Sequence, residues 1–142
     1  MSGGINPLAG LAAQGLLSLV AIFAIWWVAR AMKLGGDVRI RDEDHARALA
    51  EEAICGIDPV EVALDRARIG ALVRGADGRV LLLRRHGSHF AARLIVDYQG
   101  IRLDRQFLTI ATHERRFGAV TLDLGAQAQA WAASLRRLGA AR

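Results

Sequence analysis

The chain has 142 residues, a formal net charge of +5 and a hydrophobic content of 53%. This length excludes two ordinary globular domains once an apolar N-terminal stretch is set aside. A single cysteine, Cys55, excludes an intramolecular disulfide, and we expect it to be a small buried hydrophobic residue beside a helix end. Fourteen basic and five acidic residues lie in 66–142, so this later part would attract an anionic partner.

The first feature along the chain is an uncharged stretch of 22 residues from Leu8 to Ala29. At about 1.5 Å per residue, this stretch is long enough to cross roughly 30 Å of hydrocarbon. Aromatic and basic side chains at its end are typical of a membrane interface, where they anchor a span. These interface anchors are Trp26, Trp27, Arg30 and Lys33. We therefore predict a transmembrane anchor over 1–34, and the lipid bilayer is the first expected partner.

The charges on the two sides of this stretch predict its orientation. No charged side chain precedes it, and four basic residues follow: Arg30, Lys33, Arg39 and Arg41. The positive-inside bias then places the N-terminus outside and the following domain in the cytoplasm. A cleaved signal peptide is the competing interpretation, but it carries its basic residues before a shorter apolar core. The Arg-, Ala- and Gly-rich composition leads us to expect a bacterial inner membrane.

Small residues in the apolar stretch would let a second helix approach closely. Gln14 favours a protein neighbour, because its amide is easier to satisfy against protein than against lipid. The helix-docking candidates are Ala9, Ala13, Gln14, Gly15 and Ser18. The alternative is a lipid-facing helix that tolerates small residues.

We predict a short Gly linker over 35–37 and one cytoplasmic α+β domain over 38–142. Val38 to Arg41 alternates between apolar and charged residues, which predicts a short strand. Asp42 is the expected N-cap of a helix over 43–54, because its side chain can accept hydrogen bonds from the first turn.

The apolar period changes from 3.6 to 2 after Pro59, which is typical of antiparallel strands with one solvated face. Extended runs are predicted over 60–64, 69–73, 79–85, 90–99, 101–111 and 119–124. Residues 75–78 predict a hairpin turn. Residues 126–138 return to helical spacing, with Trp131 expected in the core. The predicted fold is therefore one helix, an antiparallel meander of five or six strands, and a closing helix packed on the sheet.

Among the short motifs of the chain, His86-Gly87-Ser88-His89 is the one most similar to a catalytic or metal site, because it contains two imidazoles and a hydroxyl. On one strand the two histidines would point to opposite faces. In a turn they could converge on a metal, but two ligands are too few, and neither Cys55 nor His113 has a spacing that commits it as a third. We therefore interpret the string as a hairpin connection with solvated histidines. Ser88 lacks the glycines of a nucleophile elbow. The sequence thus predicts no catalytic residue, metal or cofactor, and an enzyme is disfavoured.

Basic residues recur through the predicted sheet and would form a patch if they share a face. The candidates are Arg84, Arg85, Arg93, Arg102, Arg105, Arg115 and Arg116. A domain held this close to a bilayer would meet anionic headgroups first, and no aromatic-and-basic motif favours nucleic acid. Solvated strand faces with surface ion pairs are the alternative interpretation.

Two functional hypotheses follow from these observations. The first is a single-pass, non-catalytic accessory or assembly subunit of an integral membrane complex, with other membrane protein subunits as partners. The second is a membrane-tethered sensor or binding module for an anionic lipid or a small anionic ligand.

Overall fold

The computed structural model describes residues 6–32, 36–96 and 98–140. The internal contacts of the chain divide it into two compact units, Met1–Asp37 and Val38–Arg142. The first unit contains one long helix. The second is an α+β domain with two antiparallel sheets and a C-terminal helix.

Helix α1 runs over Pro7–Ala31 and buries none of its residues. Proline suits the first turn of a helix, because its fixed φ is helical and its missing N–H would have no intrahelical partner there. At the other end, the Met32 N–H donates to the Val28 carbonyl at 2.9 Å. Lys33 and Gly35, assigned above to the anchor and the linker, lie outside the described residues.

Helix α2 runs over Glu43–Ala53 and confirms the predicted helix. Asp42 is its N-cap, since its Oδ1 accepts the His45 N–H at 2.8 Å. Its buried face consists of Ala46 and Ala50.

Two local predictions around α2 are wrong. Val38 to Arg41 is not a strand; Ile40 is buried and its N–H donates to the Arg68 carbonyl at 2.8 Å, outside any ladder. Cys55 is exposed rather than buried. The chain turns just after the helix, and it is Ile57, two residues later, that enters the core.

The strands form two sheets instead of one meander. The first sheet contains β1 (Pro59–Leu64), β2 (Gly70–Gly75), β3 (Val80–His86) and β4 (His89–Leu94), in that order. The second contains β5 (Ile101–Asp104), β6 (Phe107–Ala111) and β7 (Ala119–Asp123), also in chain order. The described residues thus contain seven strands, whereas five or six were predicted.

Two interruptions of the predicted extended runs explain the additional strand and the division into two sheets. The predicted run 101–111 divides into a hairpin, because Arg105 adopts a φ of +53° and turns the chain between β5 and β6. The predicted run 90–99 stops at Leu94, and the chain then leaves the first sheet to start the second.

The predicted hairpin turn between β2 and β3 is confirmed. Gly78 has a φ of +83°, a conformation that glycine adopts without steric cost. The Arg79 N–H donates to Asp77 Oδ1 at 2.9 Å, and the Arg79 guanidinium also bonds to this carboxylate. These two hydrogen bonds, the backbone one first, hold the pKa of Asp77 below its ordinary value.

Side chains of the first sheet alternate between two cores. One face packs against α2 through Val62, Ala71, Val73, Leu81 and Leu83. The other face meets the second sheet through Ala63, Leu72, Val80 and Leu82. The sheets are close enough at Gly70 that an added Cβ would lie 2.6 Å from Leu122 Cδ2.

Helix α3 (Ala128–Ala140) follows a 3-10 turn at Gly125–Gln127 and closes the core between the sheets. Its buried residues include Trp131 and Leu135. Trp131 is therefore a core residue, as predicted.

A buried carboxylate ties the two sheets together beside β1 and β7. Asp65 is 4% exposed, and its Oδ1 accepts the Asp123 N–H at 2.7 Å. The Arg66 N–H donates in turn to the Asp123 carbonyl at 2.9 Å. Among the described residues, Asp65 Oδ2 has no hydrogen-bond partner. Asp65 thus works as a link between strands that lie far apart in the chain.

We expect Asp65→Ala to lower the free energy of unfolding by about 1–3 kcal/mol, because the part-buried Asp123 N–H loses its acceptor. Asp65→Asn keeps an Oδ1 acceptor and should lose less. Urea denaturation of the purified chain in detergent, followed by far-UV circular dichroism, measures both. Equal losses of unfolding free energy in the two variants would contradict the stabilising role assigned to the hydrogen bond between Asp65 Oδ1 and the Asp123 N–H.

Candidate functional site

Helix α1 presents an apolar surface that its own unit leaves uncovered. Every large apolar side chain from Leu8 to Val28 is at least 52% exposed. The helix is long and apolar enough to span a membrane. An apolar core helix would be buried within the fold, and no residue of α1 is.

The five helix-docking candidates do not share one face of α1. Residues of an α-helix are separated by roughly 100° around its axis, so Ala9 and Ala13 lie on one side. Gln14 and Ser18 lie together on a second side, and Gly15 points to a third. The Ser18 hydroxyl donates to the Gln14 carbonyl at 3.0 Å. Ser18 is therefore satisfied within the helix and needs no partner.

Three of the four predicted interface anchors, Trp26, Trp27 and Arg30, lie in the last turns of α1. The Arg30 guanidinium carbon lies 5.9 Å from the centroid of the Trp26 ring. The Phe23 and Trp26 rings are 5.4 Å apart. Arg30 also lies in the last turn, where a cation is favoured by the helix dipole. Trp27 is exposed beside them, and Lys33 is outside the described residues.

In the domain, two of the predicted basic residues surround one buried aromatic ring. Phe117 lies in the connection between β6 and β7, residues 112–118, which we call the Phe117 loop. The guanidinium carbons of Arg84 and Arg93 are 5.8 Å and 5.5 Å from the centroid of the Phe117 ring. Such contacts combine stacking with cation–π attraction.

The same two arginines make hydrogen bonds to the Phe117 loop. Arg84 Nη1 donates to the Phe117 carbonyl. Arg93 Nε donates to both carboxylate oxygens of Glu114, at 2.8 Å and 3.0 Å. Both side chains therefore hold the loop against the β3–β4 hairpin, and Glu114 balances the charge of Arg93.

We expect Arg84→Ala to loosen the Phe117 loop more than Arg93→Ala does. Arg84 is half-buried, and a hydrogen bond from a charged group is worth about 1.5–3 kcal/mol. The Arg93 and Glu114 side chains are 46% and 54% exposed, so solvent screening limits this pair to roughly 0.2–1 kcal/mol. Amide hydrogen exchange of residues 113–118 measures the difference. Arg102→Ala is the control and should leave this exchange unchanged. Faster exchange in Arg93→Ala than in Arg84→Ala would contradict the larger contribution assigned to Arg84.

Arg85 lies on the opposite face of the first sheet from Arg84. It pairs with Phe90 of β4, and its Nη1 donates to the Val38 carbonyl at 3.4 Å. Arg85 thus faces the α2 side and cannot join a patch with Arg84.

The other four candidates are exposed, and their side chains make no hydrogen bond or ion pair with the described residues: Arg102, Arg105, Arg115 and Arg116. Arg102 is on the outer face of the second sheet, opposite Thr109. Arg105 is in the β5–β6 turn, at the other end of that hairpin from the Phe117 loop, which contains Arg115 and Arg116. The structure therefore does not bring the seven arginines into one patch.

The two histidines of the β3–β4 hairpin lie side by side. His86 and His89 are directly paired across the hairpin, on either side of the two-residue turn Gly87-Ser88. Partners across a hairpin point to the same face of the sheet, unlike two histidines three positions apart on a single strand. The turn reverses the chain between them. Both are exposed, as predicted for a hairpin connection, and this face is also the face of Arg84 and Arg93.

A small cleft lies between the end of β4 and the start of the Phe117 loop. Its volume is about 90 Å³, well below the roughly 300 Å³ of the smallest usual ligand pockets. Its lining includes Arg93, Val96, Ile110, His113 and Glu114. Across the described ranges, no three His, Cys, Asp or Glu residues are grouped so as to hold a metal ion.

Sequence reasoning missed the packing of Arg84 and Arg93 around Phe117, but the two-residue turn contained part of that information. A turn at Gly87-Ser88 sets the register of the hairpin, and that register places both arginines and both histidines on one face. Comparison of the chain with protein families, curated proteins and solved structures found no match.

Proposed function

We propose that the protein is a single-pass membrane protein that serves as a non-catalytic accessory or assembly subunit of an integral membrane complex. In this proposal α1 crosses the bacterial inner membrane, with the N-terminus outside and the Val38–Arg142 domain in the cytoplasm. One observation carries it: α1 has 25 residues and none of them is buried. At about 1.5 Å per residue this helix is some 37 Å long, which is enough to cross a bilayer core of roughly 30 Å.

Gln14 supports a partner within the membrane. Its side-chain amide has two donors and one acceptor, and these are costly to leave unsatisfied in hydrocarbon. Ser18, one turn later, is already satisfied by the Gln14 carbonyl. A neighbouring helix would therefore be needed for Gln14 and not for Ser18. The small residues Ala9 and Ala13 would allow close approach on a separate side of α1.

Orientation is tested with reporter fusions at Arg142. Fluorescence from a cytoplasmic reporter and low alkaline-phosphatase activity are the expected results, because the basic residues follow α1. High alkaline-phosphatase activity at Arg142 would reverse the orientation.

Assembly is tested by extraction in a gentle detergent followed by native sizing. We expect a complex larger than the monomer that contains at least one other membrane protein. Gln14→Leu should release that partner, and Ser18→Ala is the matched control that should keep it. A wild-type monomer with no co-purifying protein would contradict the proposal.

The second candidate is a membrane-tethered binding module for an anionic lipid or a small anionic ligand. The four exposed arginines favour it, since each basic residue near an anionic surface is worth about 1 kcal/mol. Arg84, Arg85 and Arg93 make internal hydrogen bonds, so some of their N–H donors are already occupied within the fold.

Binding of residues 37–142 to anionic vesicles tests this second candidate. We expect binding that weakens as salt screens exposed charges over about 8 Å. Arg115→Ser with Arg116→Ser should weaken it. Equal binding to neutral vesicles, or none at low salt, would exclude the candidate.

A further inference from the structure

We propose that His86 and His89, at the tip of the β3–β4 hairpin, form a two-imidazole site for a divalent transition-metal ion of the Zn²⁺ class. This inference is independent of the proposed function, because it rests on the hairpin alone.

The hairpin pairs the backbones of His86 and His89 directly, so their side chains start from neighbouring positions on one face. Gly87 has a φ of +65°, as expected for the first central residue of a tight II′ turn, and the turn holds the register on either side. Residues directly opposite each other across such a pair have Cβ atoms about 4.5–5.5 Å apart. Two nitrogens bound to one tetrahedral zinc, at about 2.0–2.1 Å each, are roughly 3.3 Å apart. Exposed side chains reach that separation by rotation about χ1 and χ2.

Neither imidazole has another role in the fold. The His86 and His89 side chains make no hydrogen bond or ion pair within the part of the chain that the structure describes. His45 differs, because its Nδ1 accepts the Arg41 N–H at 3.1 Å and its ring meets Phe90 edge-on. The ring nitrogens of the hairpin pair are thus free to bind an ion, whereas Nδ1 of His45 already accepts a hydrogen bond.

The chemistry of the pair selects the class of ion. Neutral imidazole suits Zn²⁺, Cu²⁺ and Ni²⁺, whereas Mg²⁺ and Ca²⁺ prefer oxygen ligands. Arg84 and Arg93 lie on the same face and oppose a cation, but Glu114 neutralises Arg93 and the Phe117 carbonyl accepts from Arg84. Two protein ligands leave positions open for water, so the bound ion exchanges readily.

The test is a Zn²⁺ titration of the tag-free full chain in detergent at pH 7.5, followed by calorimetry. The chain carries Cys55→Ser, because the exposed Cys55 thiol would bind zinc itself. We expect one Zn²⁺ per chain. His89→Asn should weaken binding by about tenfold or more, since one of the two ligands is lost.

His113→Asn is the matched control, because His113 is a histidine outside the hairpin; it should leave the affinity unchanged. Ring resonances of His86 and His89 should shift with zinc in the chain that retains both, which tests the site even if His89→Asn fails to fold. Unshifted resonances, or equal affinity in His89→Asn with a native circular dichroism spectrum, would overturn the proposal.

Discussion

Leu16→Arg together with Val20→Arg should release the protein from the membrane. Both residues are near the centre of α1 and are more than half exposed. Each substitution replaces a side chain that favours insertion by about 0.3–0.6 kcal/mol with one that opposes it by about 2.5–3.5 kcal/mol. The pair therefore changes the insertion free energy by roughly 6–8 kcal/mol.

This cost exceeds what the apolar residues contribute. Nine Leu, Ile, Val and Phe residues between Leu11 and Ala29 favour insertion by about 3–5 kcal/mol in total. The balance should thus reverse, and the protein should move to the supernatant or be degraded.

Carbonate extraction of membranes, followed by immunoblotting of pellet and supernatant, is the measurement. Leu16→Ile with Val20→Leu is the matched control and should remain in the pellet. Retention of the arginine variant in the carbonate-washed pellet would contradict a membrane-spanning α1. Release of the unsubstituted chain by carbonate would contradict it as well.

Trp131→Ala should be the most destabilising single change in the domain. Trp131 is 3% exposed and joins α3 to the core between the two sheets. Loss of a buried Trp side chain costs about 3–5 kcal/mol, a large part of the roughly 5–15 kcal/mol that stabilises a typical domain.

Arg74 adds to this cost. Its guanidinium carbon lies 4.6 Å from the centroid of the Trp131 ring, and it donates to Ser134 Oγ and Glu61 Oε2, each at 2.7 Å. Removal of the ring would expose one side of this cation and loosen its contact with α3.

Urea denaturation followed by far-UV circular dichroism measures the loss of unfolding free energy. Tryptophan fluorescence is unsuitable, because Trp131 is the only tryptophan in 38–142 and the substitution removes it. Trp131→Phe keeps an aromatic ring and should lose less than Trp131→Ala. Phe107→Ala is the surface control, since Phe107 is 41% exposed, and should lose little. Equal stability of Trp131→Ala and wild type would contradict the packing of α3 on the sheets.

The elements that were predicted correctly depend on residues close together in the chain. Asp42 and the residues of the first turn form the cap of α2, and they lie within four positions of one another. The change from helical to strand periodicity after Pro59 and its return before Trp131 are likewise local patterns. The apolar character of α1 is visible in the same way, since no distant contact alters it.

The division into two sheets depended on contacts between distant residues. The predicted run 101–111 contains no proline or glycine, so the strongest local signals of a turn were missing at Arg105. Cys55 was expected inside and lies outside, because Ile57 fills the core position next to α2.

The basic surface was likewise settled by tertiary packing. Sequence spacing could not show that Arg84 and Arg93 contact Phe117, which lies 33 and 24 positions further along the chain. Asp65 and Asp123 are 58 residues apart and share a hydrogen bond. Periodicity and capping report the energetics of neighbouring residues, and they predicted the helices and most strand positions. The division of the strands into two sheets depends on which distant segments pack together. The same is true of the partners of each side chain and of its burial, so only the folded chain shows them.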